Sequence, residues 1–185
     1  MNDITILQEM LNTGAQVPLQ QTEEKCSVTL KDKQANTSVE ITDLPHDSIV
    51  IRAEAFKPPT VFKGSKGERR RADFVIVSNA ATEKWIICIE TQAGTGKDPE
   101  DVEQQLKGAQ CFIGYCKCIG KSFWQSERFL EDYQYRFVSI SGININKQST
   151  RFYQPRNESR EISHDSPDAF LEILARQSLY FDELT

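Results

Sequence analysis

Two short apolar runs constrain this chain more than anything else in it. Arg71-Ala72-Asp73-Phe74-Val75-Ile76-Val77-Ser78 and Lys84-Trp85-Ile86-Ile87-Cys88-Ile89-Glu90-Thr91 are rich in β-branched residues and almost continuously apolar. A strand buried on one face alternates apolar with polar residues, so runs without that alternation fit strands covered on both faces. Both therefore belong in the middle of a sheet. The link from Ser78 to Glu83 is short and holds turn formers and charge, which predicts antiparallel neighbours.

An acid opens the first run and another closes the second. Side chains alternate across a strand, so Asp73, Val75 and Val77 share one face, and Ile86, Cys88, Glu90 and Gln92 share one face of the neighbour. Asp73 at the start of one strand and Glu90 at the end of its antiparallel partner then meet at one edge of the sheet. Two carboxylates held this close repel and resist burial unless a cation lies between them. A divalent ion meets that requirement.

Asp73, sixteen intervening residues, then Glu90-x-Gln92 at the end of an apolar strand resemble the D-(x)n-E-x-K core of the PD-(D/E)XK nuclease superfamily, over roughly residues 54–142. The resemblance implies a restriction-endonuclease-like α/β core, a central mixed β-sheet flanked by helices. It also implies a nuclease that hydrolyses phosphodiester bonds of DNA or RNA with Mg2+ or Mn2+. Asp73, Glu90 and the backbone carbonyl of Thr91 would bind the ion, and waters and phosphate oxygens would complete the six-oxygen shell that magnesium prefers. Such an ion activates a water and stabilises charge on the phosphate.

The third motif position, usually Lys, is Gln92 here. A glutamine can place a water by hydrogen bonding but carries no charge and exchanges no proton. Lys97, five residues on, is the candidate for the missing charge. Glu54 is a further candidate, because members of the superfamily often contribute an acid from the element before the Asp; a surface acid on an edge strand is the other reading. Gln105 flanks the apolar stripe of the following helix and is placed to reach the edge of the site, or else to cap or solvate that helix.

The missing lysine keeps a second reading open, a catalytically inactive module of the same fold that binds nucleic acid or protein. A third comes from Ala93-Gly94-Thr95-Gly96-Lys97, whose tail is like that of a phosphate-binding loop. The match is incomplete. Thr91 stands where the loop needs glycine, and Asp98 where Ser or Thr would hold magnesium.

Charge narrows the partners. With 22 Lys and Arg against 27 Asp and Glu, the net charge of −5 excludes a surface coated for nonspecific nucleic-acid binding. The distribution is uneven, because Lys57 to Arg71 carries six bases against the single acid Glu68. Lys63, Lys66, Arg69, Arg70 and Arg71 are therefore candidates to hold nucleic-acid phosphates, with a plain solvated loop as the alternative for 63–67. The arginines run straight into the Asp73 strand, so their guanidinium groups are expected beside the carboxylates, lowering their pKa. A second basic and aromatic stretch, with Lys147, Arg151, Phe152, Tyr153, Arg156 and Arg160, either stacks on single strands or forms a long surface loop.

The remainder reads as a single domain of 185 residues with its nuclease-like core at about 48–143. A helix is expected over 3–12, and a hairpin from 22–31 and 38–41 on the rim. Asp98 and Pro99 start a helix whose stripe is Val102, Leu106, Ala109, Ile113 and Cys116, ended by Gly120. A short second helix follows over 122–130, then a strand over 135–143 parallel to the Glu90 strand, and a last helix from Ser166 through Gln177 with Phe170, Ile173 and Leu174 inward. Five cysteines without C-x-x-C spacing read as reduced thiols. No basic n-region and no apolar run of about 18 residues predict a cytoplasmic protein without a membrane partner. A homodimer or a protein partner stays open.

Overall fold

The two apolar runs form the centre of a six-stranded mixed sheet. The computed structural model describes residues 1–23, 25–32, 37–57, 60–80, 83–92, 94, 97–142 and 163–185. Its elements are α1 (Asp3–Met10), β1 (Gln16–Val17), β2 (Gln20–Gln21), β3 (Cys26–Asp32), β4 (Thr37–Leu44), β5 (Ser48–Arg52), β6 (Phe74–Asn79), β7 (Lys84–Thr91), α2 (Pro99–Phe123), β8 (Gln134–Ser141), β9 (Leu171–Leu174) and β10 (Ser178–Tyr180). The large sheet runs β1-β5-β6-β7-β8-β9 and a second, four-stranded sheet runs β10-β4-β3-β2. In the large sheet β1, β5, β6 and β7 are antiparallel neighbours, while β7, β8 and β9 are parallel. The chain is thus α/β, with two mixed sheets and two α-helices among the described residues.

Alternation explains why the central strands lack a polar face. Val75, Val77, Ile86 and Cys88 point into a core shared with α1 and α2. Phe74, Ile76, Ile87 and Ile89 point into a second core, shared with Val28, Leu30, Val39 and Ile41 of the smaller sheet. Each face of β6 and β7 meets its own apolar layer, so positions 74–77 and 85–89 are apolar without a break.

The layering corrects two expectations. Helices cover only one face of the large sheet, because the small sheet covers the other. The expected rim hairpin, β3 with β4, is the middle of that small sheet and fills the second core.

In α2 the Asp98 side chain accepts from the Glu100 N–H at 3.0 Å, Pro99 opens the first turn and Glu100 and Asp101 follow. These features satisfy the free amides and the positive end of the helix. Val102, Leu106, Ala109, Ile113 and Cys116 are buried as the spacing predicts, while Cys111 and Cys118 are exposed. Gly120 does not end the helix, which runs to Phe123. It makes room for the Phe129 ring, which a Cβ there would approach to 2.2 Å. The expected short helix over 122–130 is absent, and 127–132 are turns that tuck Phe129 and Leu130 beneath α2.

The last expected helix is also replaced. A single 3-10 turn at Pro167–Ala169 leads into β9, parallel to β8, and then β10, parallel to β4. Pairing with an open edge of each sheet outweighs the helical spacing of Phe170, Ile173 and Leu174. The chain end thereby ties the two sheets together. The basic and aromatic stretch between 147 and 160 lies outside the described residues. No helix among the described residues is long and apolar enough to cross a membrane.

Candidate functional site

The register of β6 on β7 pairs Phe74 with Ile89 and Val75 with Cys88. One step further sets Asp73, the residue before β6, opposite Glu90, which alternation puts on the face of Cys88, under the helices, and the Asp73 charge acts on it. Asp73 is half-buried and Glu90 is 2% exposed.

Each acid is held by the chain. Asp73 Oδ2 accepts the Thr91 N–H at 2.9 Å and the Thr91 hydroxyl at 2.6 Å. The Asp73 carbonyl accepts the Ala53 N–H at 2.9 Å, in the 3-10 turn Ala53–Ala55 that contains Glu54. Glu54 is therefore beyond the end of β5, tied to Asp73 through the peptides of this turn. Glu90 Oε1 accepts Lys97 Nζ at 2.6 Å, while Glu90 Oε2 is buried without a hydrogen-bond partner.

Burial, and next the Asp73 charge, push the Glu90 pKa from the ordinary 4.5 up to about 8, against the opposing pull of Lys97 and Gln105. Gln105 of α2 faces this acid, and its own Oε1 is also buried and unpartnered. Gln92 is 8% exposed, and its Nε2 donates to Ser139 Oγ at 2.8 Å. Ser139 is the register partner of Glu90 on β8. Asp73, Glu90 and Ser139 form a polar row across three strands at the ends nearest the start of α2. Glu172 on β9 continues the row as partner of Ser139. It is two strand spacings from Glu90, about 10 Å between backbones.

Two of the arginines have partners in the surrounding elements. Arg70 pairs with Asp101 of α2 at 3.0 Å, and Arg71 Nε donates to the Glu54 carbonyl at 3.0 Å. The cation beside Glu90 is Lys97, and the pKa of that acid rises because burial outweighs it. Lys63, Lys66 and Arg69 are exposed. Their loop is folded around Glu68, whose carboxylate accepts the Gly64 and Lys66 N–H groups, each at 2.7 Å, and whose pKa is lowered by its own backbone amide and then by those of Lys66 and Gly64. Gly64 and Gly67 have φ of 86° and 78°, the left-handed region the turn requires.

No protein-family model, curated protein or solved structure matches this chain. Among the described residues no three His, Cys, Asp or Glu side chains gather as metal ligands. Two carboxylates, one with a buried free oxygen, fit a hard ion that retains most of its waters, such as Mg2+ or Mn2+. They do not fit a closed zinc centre, which needs four protein ligands. Ala93, Thr95 and Gly96 lie outside the described residues, so of the candidate nucleotide loop only Gly94 and Lys97 are described, the latter bound to Glu90.

Three contributors went unread in the sequence. The Thr91 side chain holds Asp73, Ser139 holds Gln92, and Gly108 lets α2 approach the Arg70 backbone, where a Cβ would meet the carbonyl oxygen at 1.9 Å. A serine on the buried face of an apolar strand and a glycine inside a long helix were the available signals.

Proposed function

We propose that this chain is a metal-dependent nuclease of the PD-(D/E)XK type, with a restriction-endonuclease-like core, cleaving phosphodiester bonds of DNA or RNA. The observation that carries the reading is Glu90, a buried carboxylate with one unbonded oxygen, set beside Asp73 at the end of a central strand. The order β5, β6, β7, α2, β8 supports it.

Asp73 and Glu90 would hold the ion. The N–H and C=O of one strand residue point toward the same neighbour, so the Thr91 carbonyl shares the Asp73 side with the Thr91 N–H. When bound, the ion acidifies water and neutralises charge developing on the phosphate. Ser139 fixes Gln92 by its Nε2, leaving Oε1 as the end that can accept a hydrogen bond from the attacking water. Lys63, Lys66 and Arg69 are exposed to hold the phosphate backbone, while Lys97 holds Glu90 in place.

The test is a panel of DNA and RNA substrates incubated with Mg2+ or Mn2+. Cleavage is expected in the wild type, and Asp73→Ala and Glu90→Ala should each lower the rate about a hundredfold or more. Cleavage that is unchanged in both variants contradicts the site. Lys97 already occupies one oxygen of Glu90, which favours one competing reading, an inactive nucleic-acid-binding module. That reading predicts nucleic-acid binding without cleavage under any divalent ion.

A further inference from the structure

We propose that two copies of this chain pair through the outer edge of β9, joining their large sheets into one. The inference is independent of the chemistry at Asp73 and Glu90. β9 is the last strand of the large sheet, and among the described residues nothing pairs with its outer side. A groove of about 520 Å³ lies along it, lined by residues 171–176 and Glu183.

The backbone sets the register of such a pairing. The Ala175 N–H donates to the Ser141 carbonyl of β8 at 2.7 Å, so 171, 173 and 175 turn their peptide groups inward. Neighbouring residues in a strand point their peptide groups to opposite sides, so 172 and 174 present theirs to the open edge, with Arg176 just past the strand's end. An antiparallel two-fold pairing centred on Leu174 uses these outward groups. It sets Leu174 against Leu174 and each Glu172 opposite Arg176 of the other copy.

The side chains suit that register. Glu172, Leu174 and Arg176 are exposed on one face, and Leu174 is 48% exposed. Opposite charges facing across the strands stabilise a pair, and an exposed leucine gains by meeting its own copy at the axis. Arg176 also pairs with Glu183, and a guanidinium has donors enough for both carboxylates. Exposed edge strands are usually blunted by lysine, proline or a bulge. The sequence Leu-Glu-Ile-Leu-Ala-Arg has none of these; its strand is short and its two charges are self-complementary about Leu174. So short an edge buries less than the roughly 800 Å² per partner of a standard interface, which makes the pairing a weak, concentration-dependent one.

Sedimentation velocity of the full chain over about 1–200 μM tests this. A wild-type dimer is expected. Glu172→Arg places like charges opposite each other twice, and Leu174→Lys does so at the axis; each should weaken dimerisation about tenfold or more. The double variant Glu172→Arg/Arg176→Glu, shown to be folded by its melting curve, should recover it to within about threefold. A wild type that is monomeric throughout overturns the proposal. So do single variants that dimerise like the wild type, or a folded double variant that does not recover.

Discussion

Glu90 is the residue at which structure and chemistry meet. Its carboxyl titrates near pH 8 in the folded chain against an ordinary 4.5, because burial and the Asp73 charge disfavour the ion more than Lys97 favours it. Between those values the native state keeps a proton that the unfolded chain gives up. Stability therefore falls as the pH rises from 4.5 and levels off above about 8, the reverse of the usual salt-bridged acid. Glu90→Gln keeps the shape and can still accept from Lys97, but it cannot ionise. Urea melts should show this variant more stable than the wild type by about 1–3 kcal/mol at about pH 9, with the difference shrinking toward about pH 5. A loss of stability at about pH 9 would mean that the Lys97 pair outweighs burial. The pairing of β6 with β7, which brings Asp73 opposite Glu90, was legible because an antiparallel turn fixes which residues can meet. The direction of the Glu90 shift was not. It depends on burial and the Asp73 charge outweighing Lys97, and that balance does not follow from spacing.

At the scale of elements, α2 is what closes the site. It carries Gln105 to Glu90 and packs against the chain that delivers Asp73. That packing depends on Gly108, since a methyl there would overlap the Arg70 carbonyl and force the helix and the strand entrance apart. Gly108→Ala should cost about 3 kcal/mol or more of stability, despite alanine being the better helix former. Thermal or urea unfolding reads this directly, and a variant as stable as the wild type would show that the helix can shift without consequence. Helix α2 and strands β6, β7 and β8 were readable because each carries a strong local pattern: cap, proline and stripe in the helix, uninterrupted β-branched runs in the central strands. The segment after 166 was not. Phe170, Ile173 and Leu174 fit a helical stripe, but Leu171 and Ile173 fit a half-buried strand as well, and only the open edge of β8 decides between them. Gly120 was misread for a related reason. Local rules know glycine as a helix stop, while here it serves a ring nine residues further along the chain.

For the whole molecule, the consequence of burying β6 and β7 on both faces is that neither core exists without the other. The helix-side core and the inter-sheet core are built from alternate residues of the same strands. This arrangement was only half legible. The apolar runs require two covering layers, but nothing local in 22–44 says that this hairpin supplies the second, because Val28, Leu30, Val39 and Ile41 alternate as any surface hairpin does. The chain carries one tryptophan in each layer. Trp85 is buried in the inter-sheet core, and Trp124 packs partly against the helix-side core and donates to Glu9 at 3.0 Å. Fluorescence of Trp124→Phe therefore reports one layer, and that of Trp85→Phe the other. Once each curve is referred to its variant's own calorimetric midpoint, the two urea transitions should coincide as a single cooperative step. If the small sheet melted first, the two tryptophans would separate. The second core would then be an appended layer, and the rigidity that holds Asp73 against Glu90 would have to come from the helix side alone.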